Sequence, residues 1–153
     1  MENFDGYDLK ILRHLQRDAD RSVEVLSEEI GLSRNATWRR IKRLEEAGIL
    51  IGKVALVDPA RVGLQLVVFI SIKTDRHDAA WAGTFANVVR SFPEILGVYR
   101  TSGMQDYLIR ARVADVQAYD RLYQRLIAKL DLKDVSASFV MEEIKETTEL
   151  PVL

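Results

Sequence analysis

The chain has 153 residues, with 22 Lys+Arg against 23 Asp+Glu, 48% hydrophobic residues and no cysteine, which is the composition of an ordinary globular protein and not of a disordered one. Without cysteine there are no disulfides, thiolate metal sites or thiol nucleophiles, and a reducing compartment, the cytoplasm, is favoured. No apolar run approaches the roughly 18 residues of a spanning helix, and the start Met1-Glu-Asn-Phe-Asp5 has neither a basic n-region nor an apolar h-region, so neither membrane insertion nor secretion is expected.

Net charge is −1, but its distribution is uneven. Residues 1–32 hold 4 Lys+Arg and 8 Asp+Glu, residues 33–53 hold 6 and 2, and residues 54–153 hold 12 and 13. Positive charge is thus concentrated in one short segment, and an electrostatic footprint depends on local density.

The first element is a helix from about Asp5 to Arg17, with an apolar stripe of Leu9, Ile11, Leu12 and Leu15 and with Asp5 and Asp8 near its positive N-terminal end. Ser22 caps a second, short helix carrying Val25, Leu26 and Ile30, which Gly31 ends in the left-handed conformation. Leu32 is an apolar turn residue and Ser33 a further N-cap; Thr37, Ile41, Leu44 and Gly48 follow at i, i+4, i+7 and i+11, ending a third helix near Ala47-Gly48. Two helices joined through a short Gly-containing turn have the spacing of a helix-turn-helix. Ile49-Leu-Ile51 and Val54-Ala-Leu-Val57 are β-prone and suit a small hairpin or wing. Asp58-Pro59 and Gly63 then punctuate the chain.

The second half alternates strands and helices: Leu66–Lys73, helix 79–92, strand 95–102, strand 107–113, helix 116–130 and strand 135–141. This βαββαβ order is the ferredoxin-like split pattern, whose antiparallel sheet carries its helices on one face. In the first and last of these strands Val67, Phe69, Ala137, Phe139 and Met141 alternate with Leu66, Val68, Ile70, Ser138 and Val140, so both faces of the sheet carry apolar residues. A second copy of the sheet would cover the open face. The tail Glu142–Glu149 is acidic and is expected to be solvated.

If Thr37, Ile41 and Leu44 face the core, then Arg34, Asn35, Trp38, Arg39 and Lys42 face outward. Arg offers bidentate donors to guanine or phosphate, Asn pairs with an adenine edge, and a Ser-capped helix N-terminus meets phosphate. The alternative is a solvated basic face. Trp38 either touches the sugar-phosphate backbone or has the more ordinary fate of an indole, packing on a neighbouring helix. In Gly103-Met-Gln-Asp106-Tyr107, a Gly lets the backbone approach a ligand, loop N–H groups can receive a carboxylate, and Asp106 can pair with an ammonium. The same residues also satisfy a plain hairpin turn. His14 and His77 lack further ligands at metal spacing, and no phosphate loop, nucleophile elbow or paired-carboxylate constellation appears.

The sequence resembles the Lrp/AsnC family, the feast/famine regulators, over essentially its whole length. The resemblance is carried by Asp5-Gly-Tyr-Asp8-Leu-Lys-Ile11-Leu12, Leu26-Ser-Glu-Glu-Ile30-Gly31-Leu32-Ser33, Arg40-Ile41-Lys-Arg43-Leu44-Glu45-Glu-Ala-Gly48-Ile49, Gly103-Met-Gln-Asp106-Tyr107 and Val140-Met-Glu-Glu-Ile144. Lys53 departs from it, standing where many relatives have an aromatic residue. The resemblance implies an α+β chain with an N-terminal winged helix-turn-helix domain (1–52), a strand-containing linker (53–64) and a ligand-sensing, oligomerising βαββαβ domain (65–153). It further implies DNA contacts by Ser33, Arg34, Asn35, Trp38, Arg39, Arg40, Lys42 and Arg43, and an effector cleft at Ser102, Gly103, Met104, Asp106 and Tyr107. Homodimers assembling to tetramers or octamers are implied as well. The expected function is a cytoplasmic, sequence-specific transcriptional regulator, not an enzyme and without metal or cofactor, that binds double-stranded DNA and answers to an amino acid or related small molecule. The alternatives are a sirohaem decarboxylase of the same architecture and an amino-acid sensor that does not use DNA.

Overall fold

A computed structural model of the chain describes residues 4–152; the acidic start at residues 1–5 therefore lies partly outside the described residues. The elements follow the order α1 (Gly6–Arg17), α2 (Val23–Ile30), α3 (Arg34–Glu46), β1 (Leu66–Lys73), α4 (Ala79–Arg90), β2 (Ile95–Arg100), β3 (Tyr107–Val113), α5 (Val116–Ile127) and β4 (Asp134–Phe139). They form two compact units: residues up to Leu56 together with 145 onward, and Val57–Ile144. Among the described residues no helix is long and apolar enough to cross a membrane.

Local capping sets the helical unit. The Asp5 side chain accepts from the backbone N–H groups of Tyr7 and Asp8 while Asp8 reaches back to the Asp5 N–H, a reciprocal capping box. Ser22 and Ser33 accept from Val25 and Ala36, and Gly31, at φ 74°, makes the left-handed turn between α2 and α3 that a side chain would strain. The core of this unit consists of Ile11, Leu12, Leu15, Leu26, Ile30, Ile41 and Leu44.

The hairpin expected from 49–57 is not formed. Ile49 and Leu50 fold back on α3, their N–H groups donating to the Leu44 carbonyl, and both pack against the helical core. Ile51 is left 94% exposed, with Val54, Leu56 and Val57 also exposed. The apolar pair that would have begun the first strand thus closes the helix end instead. The acidic tail is largely solvated, as expected, and only its end is held. Residues 142–148 are exposed, but Leu150 exchanges two hydrogen bonds with the Gln16 side chain (2.6 and 3.2 Å), Arg13 donates to the Val152 carbonyl, and Arg17 pairs with Glu149 at 2.8 Å. This segment fastens to α1 because a side-chain amide can pair with a backbone amide in both directions.

In the second unit the sheet order is β2-β3-β1-β4 with all pairs antiparallel. Val68, Ile70 and Ile72 of β1 and Ile109, Ala111 and Val113 of β3 meet Trp81, Phe85 and Val89 of α4 and Leu122 and Leu126 of α5 in one core. The register pairs Val68 with Phe139 and Ile70 with Ala137, so Ala137 and Phe139 lie on the helix-covered face, where the Phe139 ring meets Tyr119 edge-on at 5.1 Å. Val67 and Phe69 occupy the other face, opposite Arg112 and Arg110. Truncating a wholly buried leucine of this core, Leu122→Ala, should lower the unfolding free energy by about 2–5 kcal/mol, measured by urea titration.

Candidate nucleic-acid interface and effector loop

Helix α3 is oriented by its buried side. Thr37, fully buried, donates its hydroxyl to the Ser33 carbonyl at 3.1 Å, and Ile41 and Leu44 continue the same face into the core. Ser33, Arg34, Asn35, Trp38, Arg39 and Lys42 are exposed. Their electrostatic circumstances differ. Arg34 pairs with Glu24 at 2.7 Å and Lys42 with Glu45 at 2.7 Å, whereas Asn35 and Arg39 have no side-chain partner among the described residues. Trp38 keeps 52% of its surface exposed and is not part of the helical core.

Arg40, half-buried, turns toward α1, and Arg43, though exposed, reaches it with one nitrogen. Asp8 is 0% exposed, and its two oxygens receive Arg40 Nη1 at 2.8 Å and Arg43 Nη2 at 2.5 Å. Arg40 also reaches Asp5 at 2.7 Å and lies 5.5 Å from the Tyr7 ring centroid. The hydrogen bond to Asp8, and then that to Asp5, hold the Arg40 guanidinium above its usual pKa against the desolvation that opposes them. Asp5 is held below the ordinary carboxylate value of 3.8, first by the Asp8 backbone N–H and also by Arg40. Two arginines expected at the DNA surface are therefore tied to α1, because a buried carboxylate must find cations. The signal was present in the sequence as two aspartates three residues apart at the helix start; their charges suit the helix dipole and the arginine ties equally, so composition alone does not separate the two roles.

In the second unit, the residues between β2 and β3 form a tight loop. Gly103 sits at φ 134°, a backbone region that favours glycine, and Ser102 and Met104 are exposed, Met104 at 84%. The Thr101 N–H donates to the Asp106 carbonyl, the Asp106 N–H to Ile72, and the Thr74 N–H to Asp106 Oδ2, each at 2.9 Å. Asp106 thus ties the loop to the end of β1 and leaves Oδ1 as its other acceptor oxygen. The Tyr107 ring lies 4.4 Å from Phe85 and 5.7 Å from Trp81, centroid to centroid, as part of the core packing. Of the five residues expected at an effector cleft, Ser102, Gly103 and Met104 form the loop surface, Asp106 bridges, and Tyr107 anchors. His14 lies 3.2 Å from Glu29, and among the described residues no group of three or more His, Asp or Glu side chains could hold a metal ion.

Residues 67–150 match the family model described as the Lrp/AsnC ligand binding domain, and residues 4–51 match a winged helix-turn-helix DNA-binding model. The chain is 48% identical over 149 residues to the DNA-binding transcriptional activator DecR of Escherichia coli (strain K12), covering 97% of this chain and 98% of the relative. It is 43% identical over 152 residues to the glutamate uptake regulatory protein of Zymomonas mobilis, covering 99% and 93%. Among solved structures, a transcriptional regulator of Neisseria meningitidis in complex with L-Met superposes with a TM-score of 0.92 at 37% identity, over 97% of each chain.

The two kinds of arginine on α3 are separable by experiment. Arg40→Ala leaves buried Asp8 with one cation fewer and should cost the helical unit about 1–3 kcal/mol, whereas Arg39→Ala should leave stability within about 0.5 kcal/mol, both read by chemical denaturation. Because the Asp5 pKa is lowered on folding, its contribution is present above 3.8 and fades as pH falls through the lowered value. Acid unfolding of the Asp5→Asn variant should accordingly show a shallower pH dependence than that of the parent.

Proposed function

The chain belongs to the Lrp/AsnC family, and on that premise we propose that it is a cytoplasmic, non-enzymatic regulator of transcription that reads duplex DNA with the outer face of α3 and answers to an amino acid at the β2–β3 loop. The observation that carries the DNA reading is the pair Asn35 and Arg39, exposed and without partners among the described residues, on a helix whose other arginines are already paired. An amide suits an adenine edge and a guanidinium suits guanine or phosphate. Arg34, Lys42 and the Ser33 cap supply backbone contacts around them, with their acidic partners giving way to phosphate.

Support for the effector comes from the relative that holds L-Met and from the loop itself. The open backbone at Gly103 admits a carboxylate, and the second oxygen of Asp106 receives an ammonium while the first stays on Thr74. Assembly follows from the sheet: on the face that α4 and α5 do not cover, Val67 is already buried but Phe69 is only half-buried, and a second copy of that face covers it in a homodimer from which larger assemblies are built. A ligand in this unit alters DNA binding only by preferring one state of the assembly.

Arg39→Ala should weaken binding of a preferred duplex by about 1–3 kcal/mol, with relaxed base preference at one position if the side chain reads a base. Equal affinities of parent and variant in gel-shift titrations would remove α3 as the reader. Asp106→Ala should abolish or sharply weaken amino-acid binding while leaving ligand-free DNA binding intact. Calorimetry with a panel of amino acids on both forms decides this, and undiminished binding by the variant would make the loop a structural turn.

A further inference from the structure

We propose that Trp38 is a specificity residue, reading the C5-methyl group of a thymine in the major groove. This rests on the DNA reading of α3 given above and deepens it. The chain has two tryptophans. Trp81 is 5% exposed and stacked on Phe85 at 5.1 Å, as an indole with a core available would be expected to pack. Trp38 has the helical core one residue away, at Thr37, and yet keeps 52% of its surface in water. Its position on α3 is set by Thr37, Ile41 and Leu44 from below, so it cannot turn inward without displacing them.

The surroundings of Trp38 indicate what covers it. Arg34 and Lys42, one turn before and after it, present cationic side chains, and Asn35 and Arg39 adjoin the same face. Arg34 and Lys42 are held in ion pairs with Glu24 and Glu45, which a phosphate can replace, and Arg39 has no partner among the described residues, so the apolar ring beside them suits a polyanion that also offers an apolar group. Double-stranded DNA is such a partner. Within an intact duplex the flat faces of the bases are stacked and closed to an indole, and the apolar group that the base edges present on the major-groove floor is the thymine methyl. Asn35 and Arg39 supply the flanking polar readout, so the preferred site should carry a thymine at a fixed offset from the positions they read.

The test begins by enriching random double-stranded DNA with the full chain and then replaces each thymine of the recovered site, one at a time, by uracil, which removes the methyl and leaves the pairing edge unchanged. At one thymine per half-site the parent should lose affinity about fourfold, the value of one buried methyl-sized group. Trp38→Ala should bind the thymine and uracil duplexes alike, and Trp38→Leu should retain part of the discrimination. Because Trp38 is exposed, both variants should melt like the parent, which circular dichroism checks. If the parent is indifferent to every uracil, or Trp38→Ala keeps the full discrimination, the inference is overturned while sequence-selective binding by the parent leaves the DNA reading standing. Failure to enrich any sequence overturns both.

Discussion

The carboxylate of Asp8 is withdrawn from water between α1 and α3, and a charge in that position survives only with cations on it. Arg40 and Arg43 meet that need from α3, and the Asp5 N–H meets it from the capping box. The consequence reaches beyond stability. Thr37, Ile41 and Leu44 choose which face of α3 turns inward, and a close-packed core resists rolling. Two charge-assisted hydrogen bonds to separate oxygens of one carboxylate are directional and reinforce that choice. That choice decides that positions 35, 38 and 39 are presented outward together.

This orientation also changes how the charge of the segment is counted. Residues 33–53 contain six basic side chains, and a simple electrostatic reading treats all as phosphate contacts. Arg40 and Arg43 are balanced by Asp8 and Asp5, Arg34 and Lys42 are each opposed by a glutamate, and Lys53 lies beyond α3. On the DNA reading proposed above, binding replaces two surface ion pairs that are each worth little in water, a small exchange when the incoming group is a phosphate, while Arg39, without a partner among the described residues, enters with no such exchange.

Much of this was legible in the chain because the determinants are local. The caps at Ser22 and Ser33 and the left-handed Gly31 each act within one turn, and β1 and β3 occupy the residues expected from their apolar patterns. What was not legible depends on partners distant in sequence. Arg40 and Arg43 look like any basic pair on an amphipathic helix until a carboxylate 32 and 35 residues away claims them. The faces of Ala137 and Phe139 depend on antiparallel register with β1, which alternation within β4 cannot supply. Ile49 and Leu50 have strand propensity but are taken by the helical core, an instance of tertiary contact overriding a local preference.

The same distinction bears on the β2–β3 loop, where one residue serves two demands. Asp106 holds the loop to β1 through the Thr74 N–H and the Ile72 carbonyl, and Tyr107 fastens the next position into the stack of Phe85 and Trp81. These contacts leave Ser102, Gly103 and Met104 as the stretch free to adapt, bounded by an anchored strand on the β3 side. For the effector site proposed above, Asp106 and Tyr107 form a preset anchor, so the entropy lost on binding falls on Ser102, Gly103 and Met104 alone. A rigid anchor transmits a ligand's preference only if two arrangements of the molecule differ at that anchor, so on that reading coupling to α3 is to be sought in how copies of the open sheet face associate.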